Sequence, residues 1–184
     1  MDAHCGRRPF PFGKCIDHFR GKEYNAFIKM WQDAAIYFME ISMIRKLWDT
    51  DVNEVSGIWL DTNIRAHDFI PARYWNSHFN SVKEMLLQAE VYVYEDEAAG
   101  NIQGFIGLHG GYIEGIFVRG QAQSGGIGKQ LLDFVKEGRQ ELSLHVYKKN
   151  IRAFRFYQRE GVRICSKGTD ADTGEEEYRM VWRR

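Results

Sequence analysis

Apolar positions along the chain switch repeatedly between two periods. Met43 to Trp48 (Met-Ile-Arg-Lys-Leu-Trp) is a short strand-like run. Asp49-Thr50-Asp51 then offers helix caps, and Asp51 with Glu54 three residues on has the spacing of a capping box. Val52, Val55, Ile58 and Trp59 recur at helical spacing, marking the buried face of a first helix. The segment Asn63 to Ile70 reads as a loop. Pro71 suits the first position of a second helix, with Tyr74, His78, Val82, Met85 and Leu86 along it. Val91 to Tyr94 alternates like a strand, Glu95 to Gly100 is a polar turn, and Ile102 to Leu108 is strand-like again. His109-Gly110-Gly111 turns tightly into Tyr112 to Val118, a run of β-formers. Ile127, Leu131, Leu132 and Val135 return to helical spacing. Leu142 to Tyr147 is a strand, a further helix follows Asn150, and a hairpin ends the chain. Its loop is Gly168 to Gly174 and its last strand Tyr178 to Trp182. This order predicts a mixed central β-sheet flanked by helices on both faces, an α+β layer fold.

Composition changes the picture mainly by exclusion. The chain has 184 residues, 44% apolar and 27% charged, which suits one domain with a substantial core. Its 25 Lys and Arg balance its 25 Asp and Glu, so net charge makes no case for nucleic acid or an anionic membrane. No stretch of about twenty apolar residues is present to span a bilayer, and no secretory signal pattern opens the chain. Cys5, Cys15 and Cys165 are too sparse for a disulfide framework and fit a reducing cytoplasm. His4-Cys5 and Cys15-x-x-His18 match no standard zinc spacing, so no metal is expected.

The most informative stretch is the connection between the Tyr112–Val118 strand and the helix after it. It is rich in glycine, ending in Gly125, Gly126 and Gly128. A helix start leaves backbone N–H groups unpaired and carries partial positive charge, and glycines let a phosphate approach that backbone closely. The loop is not a P-loop, because Gln130 follows Lys129 and no hydroxyl is available for magnesium. No strand–helix–strand dinucleotide unit surrounds it. A tight strand-to-helix connection with no ligand would use the same glycines. The pattern itself is Gln123-x-x-Gly126-Ile127-Gly128. A second stretch reads Asn150-Ile-Arg-Ala153-Phe-Arg-Phe156-Tyr157-Gln-Arg-Glu-Gly161-Val162.

Together, in this order and at this distance, the two stretches resemble the signatures of the GNAT superfamily of acetyl-CoA-dependent N-acetyltransferases, in particular its bacterial lysine-acetyltransferase-like members. The resemblance runs from about Met43 to the C-terminus. It implies the GNAT (acyl-CoA N-acyltransferase) fold and acetyl-CoA as co-substrate. Backbone groups from Gln123 through Ser124, Gly125, Gly126, Ile127 and Gly128 to Lys129 would hold the pyrophosphate. The strand of Phe117 and Val118 would splay from its parallel neighbour and pair with the pantetheine arm like an added strand. Asn150 and Ala153 would meet the same arm, Asn150 serving equally as a simple N-cap. Tyr157 occupies the position of the tyrosine that protonates the departing sulfur, against the alternative of a helix-face aromatic packed on the sheet. His67 and Phe69, in Ala66-His67-Asp68-Phe69-Ile70, would touch the acceptor; loop and core roles stand as their alternatives. The chain departs from the family pattern at Gly120, where proline is common, and at Val162, where Phe is.

Acetyl transfer also needs a neutral amine. An alkylamine has a pKa near 10.4, so about one molecule in a thousand is free base at neutral pH, and a general base should assist. Glu114 on the central strand and His145 on the next are the candidates, against the alternatives of a solvated strand carboxylate and a half-buried histidine. Strand alternation places Glu114 on one face with Tyr112 and Ile116.

The expected function is therefore transfer of an acetyl group to a primary amine, on a protein lysine or a small molecule. An acyl-CoA-binding regulatory domain without turnover is the alternative, and Asn150 with Tyr157 argues against it. A third is an interaction domain recruiting partners through its N-terminal helix. The acceptor's identity and the oligomeric state, a homodimer included, stay open. Residues 1–42 stand apart as an extension before the 43–184 domain; Ala26 to Ile41 has the pattern of an amphipathic helix. Met43 has the look of an initiator. Intact mass of protein from its native source is expected to begin there, and a mass including residue 1 would refute this.

Overall fold

The computed structural model describes residues 44–96 and 100–184; the expected helix over Ala26 to Ile41 and the rest of the 1–42 extension lie outside them. In chain order the elements are β1 (Ile44–Lys46), α1 (Val52–Ala66), α2 (Ala72–Leu86), β2 (Glu90–Asp96), β3 (Asn101–His109), β4 (Tyr112–Val118), α3 (Ile127–Lys136), β5 (Glu141–Tyr147), α4 (Ile151–Arg159), β6 (Arg163–Thr169) and β7 (Glu176–Arg183). The strands form one sheet in the order β1-β2-β3-β4-β5-β7-β6. Every neighbouring pair is antiparallel except β4 and β5, which are parallel.

Alternation along the strands divides the core between two faces. Val55, Ile58 and Leu86 of α1 and α2 pack with Val91, Val93, Ile102 and Phe105 on one face. Leu131, Leu132 and Val135 of α3, with Tyr157 of α4, pack with Ile106, Leu108, Leu142, Leu144 and Met180 on the other. Neighbouring residues Phe105 and Ile106, both fully buried, thus anchor opposite cores.

Several local expectations change. The stretch Asn63 to Ala66 is helical, not loop; Thr62 and Asn63 turn their side chains onto the Ile58 and Trp59 carbonyls within α1. Pro71 precedes α2 with an extended ψ of 135°, and Trp75 and Leu86 form its buried positions, while His78 and Met85 are exposed. Glu54 is not the capping partner of Asp51. It accepts from the Ile102 N–H at 3.1 Å and from the Arg119 guanidinium at 2.7 Å, tying α1 to the ends of β3 and β4. The last hairpin closes over a shorter loop, because β6 runs on to Thr169.

The largest change is in β4. Its pairing with β3 passes from Gly107↔Gly115 to Leu108↔Ile113, so Glu114 is an extra residue in a β-bulge. A bulge shifts the alternation by one. Ile113 and Ile116 therefore both face the α3–α4 core, and the expected shared face of Tyr112, Glu114 and Ile116 does not form. Tyr112 instead bonds to His145, whose neighbours Leu144 and Val146 point to the α3–α4 core.

Close approach between β3 and β4 depends on Gly104. An added Cβ would lie 2.8 Å from the Phe117 carbonyl oxygen and 3.2 Å from Val118 Cγ2. Gly104→Ala is expected to cost about 1–3 kcal/mol, seen as a lower urea midpoint. Gly57→Ala, inside α1 with open space around it, is expected to gain up to about 1 kcal/mol.

Candidate active site

The site begins where the sheet stops being a sheet. β4 and β5 share a single register pair, Tyr112↔Ser143, supported by the Ser143 N–H donating to the Gly111 carbonyl at 2.9 Å. Beyond it the strands diverge. A cleft of about 860 Å³ opens there, with Ile116, Phe117 and Val118 on one side and α4 on the other. Backbone groups of a strand that has lost its neighbour need a partner, and an extended ligand arm can supply it.

The mouth of the cleft is the start of α3. Gly126 takes the N-cap position with φ 89°, a left-handed conformation suited to glycine. Ser124 is also left-handed, at φ 67°. These turns bring Gln123, Ser124, Gly126, Ile127, Gly128 and Lys129 to the cleft lining. Gly125 is not among the lining residues; its missing side chain would point toward the Ala122 carbonyl at 3.3 Å. An added Cβ at Gly126 would find nothing nearer than Gln130 Nε2 at 3.8 Å, so the approach to the helix start is open. Gln123 braces the loop by donating from Nε2 to the Val118 carbonyl at 2.9 Å.

Positive charge gathers at the same mouth. Arg152 donates to Gln123 Oε1 and to Ser124 Oγ, and Arg155 and Arg159 line the cleft beside it. Among the described residues no carboxylate forms an ion pair with these three arginines. A helix start with no acidic residue in its first turn plus three guanidinium groups without a carboxylate partner suits a polyphosphate. The arginines went unnoticed in the sequence, although their i, i+3, i+7 spacing on the helix after Asn150 puts them on one side.

Asn150 caps α4, its Oδ1 accepting from the Ala153 N–H at 3.1 Å. Its Nδ2 meets His67 Nε2 at 3.0 Å, which leaves the His67 proton on Nδ1. His67 is enclosed by rings: Trp75 stacks on it at 5.3 Å, and Phe69 and Tyr147 meet it edge-on at 5.7 and 5.3 Å. Burial pushes its pKa down to about 4, against smaller upward pulls from the Asn63 carbonyl and Asp68. His67 lines the large cleft, whereas Phe69 lines a neighbouring one of about 530 Å³ with Tyr74, Asp172 and Glu175.

Tyr157, on α4, is buried at 6% exposure and its side chain lines the large cleft. Burial, aided by the nearby Tyr112, raises its pKa well above the ordinary tyrosine value. The two proposed bases stand apart from the cleft lining. Glu114 is exposed on the bulge; His145, on β5, bonds to Tyr112. Among the described residues no group of three or more His, Cys, Asp or Glu is placed to hold a metal, and no helix is long and apolar enough to cross a membrane.

This arrangement has known relatives. Residues 52–162 match the family model described as acetyltransferase (GNAT) family. The chain is 31% identical over 142 residues to the peptidyl-lysine N-acetyltransferase YiaC of Escherichia coli (strain K12), covering 76% of this chain and 96% of that protein. It is 25% identical over 131 residues to the peptidyl-lysine N-acetyltransferase YjaB of the same organism, covering 71% and 88%. In structure it resembles the apo form of E. coli YjaB, with a TM-score of 0.68 and 23% identity over 76% of this chain and 95% of that one. It also shares its fold with yncA of Salmonella typhimurium, solved with acetyl-CoA, with a TM-score of 0.53 and 15% identity over 76% and 92%.

The chain belongs to the GNAT family of acetyltransferases. It is an N-acetyltransferase that moves an acetyl group from acetyl-CoA to an amine.

The depressed pKa of His67 carries a stability consequence. Folded, it stays neutral down to about pH 4; unfolded, it protonates near 6.5. Its neutral burial therefore stabilises fully above pH 6.5, and that contribution is lost as pH falls from there to 4. The whole effect is about 3 kcal/mol. Urea titrations at pH 7.5 and 4.5 are expected to show a smaller difference for His67→Gln than for wild type; equal differences would place the titration elsewhere.

Proposed function

We propose that the acceptor is a lysine side chain of a protein or peptide and that the enzyme works in the cytoplasm. One observation carries the mechanistic reading: a single cleft unites the open start of α3, the gap between β4 and β5, and the Tyr157 phenol. When bound, acetyl-CoA supplies the activated acetyl group. The N–H groups at the start of α3, with Arg152, hold its diphosphate. The main chain of Phe117 and Val118 pairs with the pantetheine arm. Asn150 fixes the start of α4 and so the placement of Tyr157 about two turns further on. Tyr157 keeps its proton at neutral pH and donates it to the sulfur as negative charge develops there. Holding both reactants side by side supplies much of the acceleration.

Support for lysine comes from two sources. The curated relatives bear the name peptidyl-lysine N-acetyltransferase. The smaller cleft is lined by Phe69 and Tyr74 with the carboxylate of Asp172, while Lys149 already sits over Phe69 and pairs with Glu175 at its edge, so these aromatic and acidic groups accommodate a lysine side chain. His67, fixed by Asn150 and its ring neighbours, forms the wall between the two clefts rather than a mobile contact.

Thiol release from acetyl-CoA tests both parts. A blocked lysine peptide is expected to give turnover well above that with spermidine or an aminoglycoside; the reverse order would overturn the lysine assignment. Tyr157→Phe is expected to lower kcat about 10²-fold or more, while calorimetry shows acetyl-CoA affinity within about twofold of wild type, as expected for a group used only in the transition state. Equal turnover in the two proteins would remove Tyr157 from the mechanism.

A further inference from the structure

The vertex of the β4–β5 gap holds a chain of side chains that the cleft lining does not include. Tyr112 sits at the one pair joining the strands. Its hydroxyl lies 2.9 Å from His145 Nδ1. His145 Nε2 in turn lies 3.8 Å from Glu177 Oε1. Glu177 belongs to β7, where it pairs with Tyr147, and Arg179 pairs with His145 itself. All of these project from the sheet face opposite the α3–α4 core, since Leu142, Leu144 and Val146 of β5 fill that core.

The placement of the phenol matters. Its pKa is raised by burial, then by the charges of Glu114 and Glu177, and more weakly by Asp170, against a lowering hydrogen bond from the His145 main chain. Tyr112 stands at the one pair joining β4 and β5, on the face opposite Ile113, while Tyr157 belongs to the α3–α4 core and to the cleft lining, so the two residues flank the gap from opposite faces of the sheet. Tyr157 is the buried one; Tyr112 is half-buried, and His145 is 37% exposed.

We propose that Tyr112, His145 and Glu177 form the proton relay that neutralises the acceptor amine. This rests on the acetyltransferase reading with a lysine acceptor. The ammonium gives a proton to the Tyr112 oxygen as the Tyr112 hydroxyl gives its own to His145 Nδ1. His145 becomes an imidazolium, whose Nε2–H faces the Glu177 carboxylate. The neutral amine attacks the thioester carbonyl; the C–N bond forms, the C–S bond breaks, and the sulfur takes the Tyr157 proton. The second amine proton restores Tyr157, and His145 loses its proton to solvent through its exposed edge. Glu114 enters only as a charge near Tyr112, not as the base.

A neutral His145 accepting from Tyr112 carries its own proton on Nε2. Around this pair, Glu114, Glu177 and Asp170 act on Tyr112, Glu177 Oε1 lies 3.8 Å from His145 Nε2, and Arg179 pairs with His145 across β5 and β7.

The test combines two measurements on the full chain. The first is the pH profile of kcat/KM for a blocked lysine peptide at saturating acetyl-CoA. Wild type is expected to level off above about pH 7. His145→Gln and Tyr112→Phe are expected to fall about 10²-fold at pH 7. Both should rise with pH and converge on wild type near pH 10, where lysine supplies its own free base. Glu177→Gln is expected to lower kcat/KM at pH 7 less than His145→Gln does, because the imidazolium loses its counter-charge but not its partner Tyr112. Unchanged acetyl-CoA affinity by calorimetry in all three variants is part of the expectation. A His145→Gln profile that superimposes on wild type, or a Tyr112→Phe defect that persists undiminished at pH 10, overturns the relay.

The second is the nitrogen-15 spectrum of the His145 imidazole, which needs no acceptor. The expected form is the Nε2–H tautomer with Nδ1 accepting a hydrogen bond, and Tyr112→Phe should abolish that signature. A wild-type Nδ1–H tautomer overturns the relay even if lysine peptides are turned over. Failure of wild type to acetylate any lysine peptide, with the expected tautomer present, overturns the lysine reading instead.

Discussion

The structure depends on two parallel strands that touch once and then part. In an ordinary sheet, the N–H and C=O groups of β4 would be matched by β5 along their length. Here the match is confined to Tyr112↔Ser143, and the remainder of β4 borders a cleft. Unpaired strand backbone away from water is costly, so such a gap persists only where something else meets those groups. The gap is held open from both sides. α3 packs through Leu131, Leu132 and Val135 beneath β2 to β4, while α4 and Tyr157 pack against β5. Each helix begins at the cleft, one presenting backbone N–H groups and the other arginines.

The bulge at Glu114 is the second device. Without it, strict alternation would send Tyr112 to the same face as Ile116, into the α3–α4 core, and the Tyr112–His145 contact could not form. One inserted residue lets β4 serve two masters: Ile113 and Ile116 remain in the core, and Tyr112 is released to the opposite face, where it meets His145. The Glu54–Arg119 pair at the far end of β4, with Arg119 Nε also donating to the Ile102 carbonyl at 2.7 Å, fixes where the strand ends and the phosphate loop begins.

The α1–α2 loop is rigid for a loop because it is built from rings. His67 and Phe69 both meet Tyr147 edge-on, Trp75 stacks on His67, and Lys149 lies over Phe69 at 5.2 Å. Through the His67–Asn150 bond this assembly reaches the cap of α4. The ring assembly and the large cleft therefore share a partner in Asn150. A neutral His67 is required for that bond, since Nε2 must accept from the amide.

Sequence alone determined the order of elements, the two-faced sheet and the phosphate loop. These rest on local signals: apolar periodicity, and glycines whose spacing is meaningful over a few residues. Gln123-x-x-Gly126-Ile127-Gly128 and Asn150 to Tyr157 were legible because each is contiguous, with a function that depends on backbone conformation or helical spacing. The end of α1, the exposed side of α2 and the true partner of Glu54 were not, because packing over long sequence separation overrode local preference. Only the tertiary structure decided which residues meet across the β4–β5 gap. Tyr112 and His145 are 33 positions apart and meet across a parallel pair whose register no local pattern encodes. The bulge that turns Tyr112 toward His145 has no signature in the residues themselves, since it is a property of how two strands align rather than of either one.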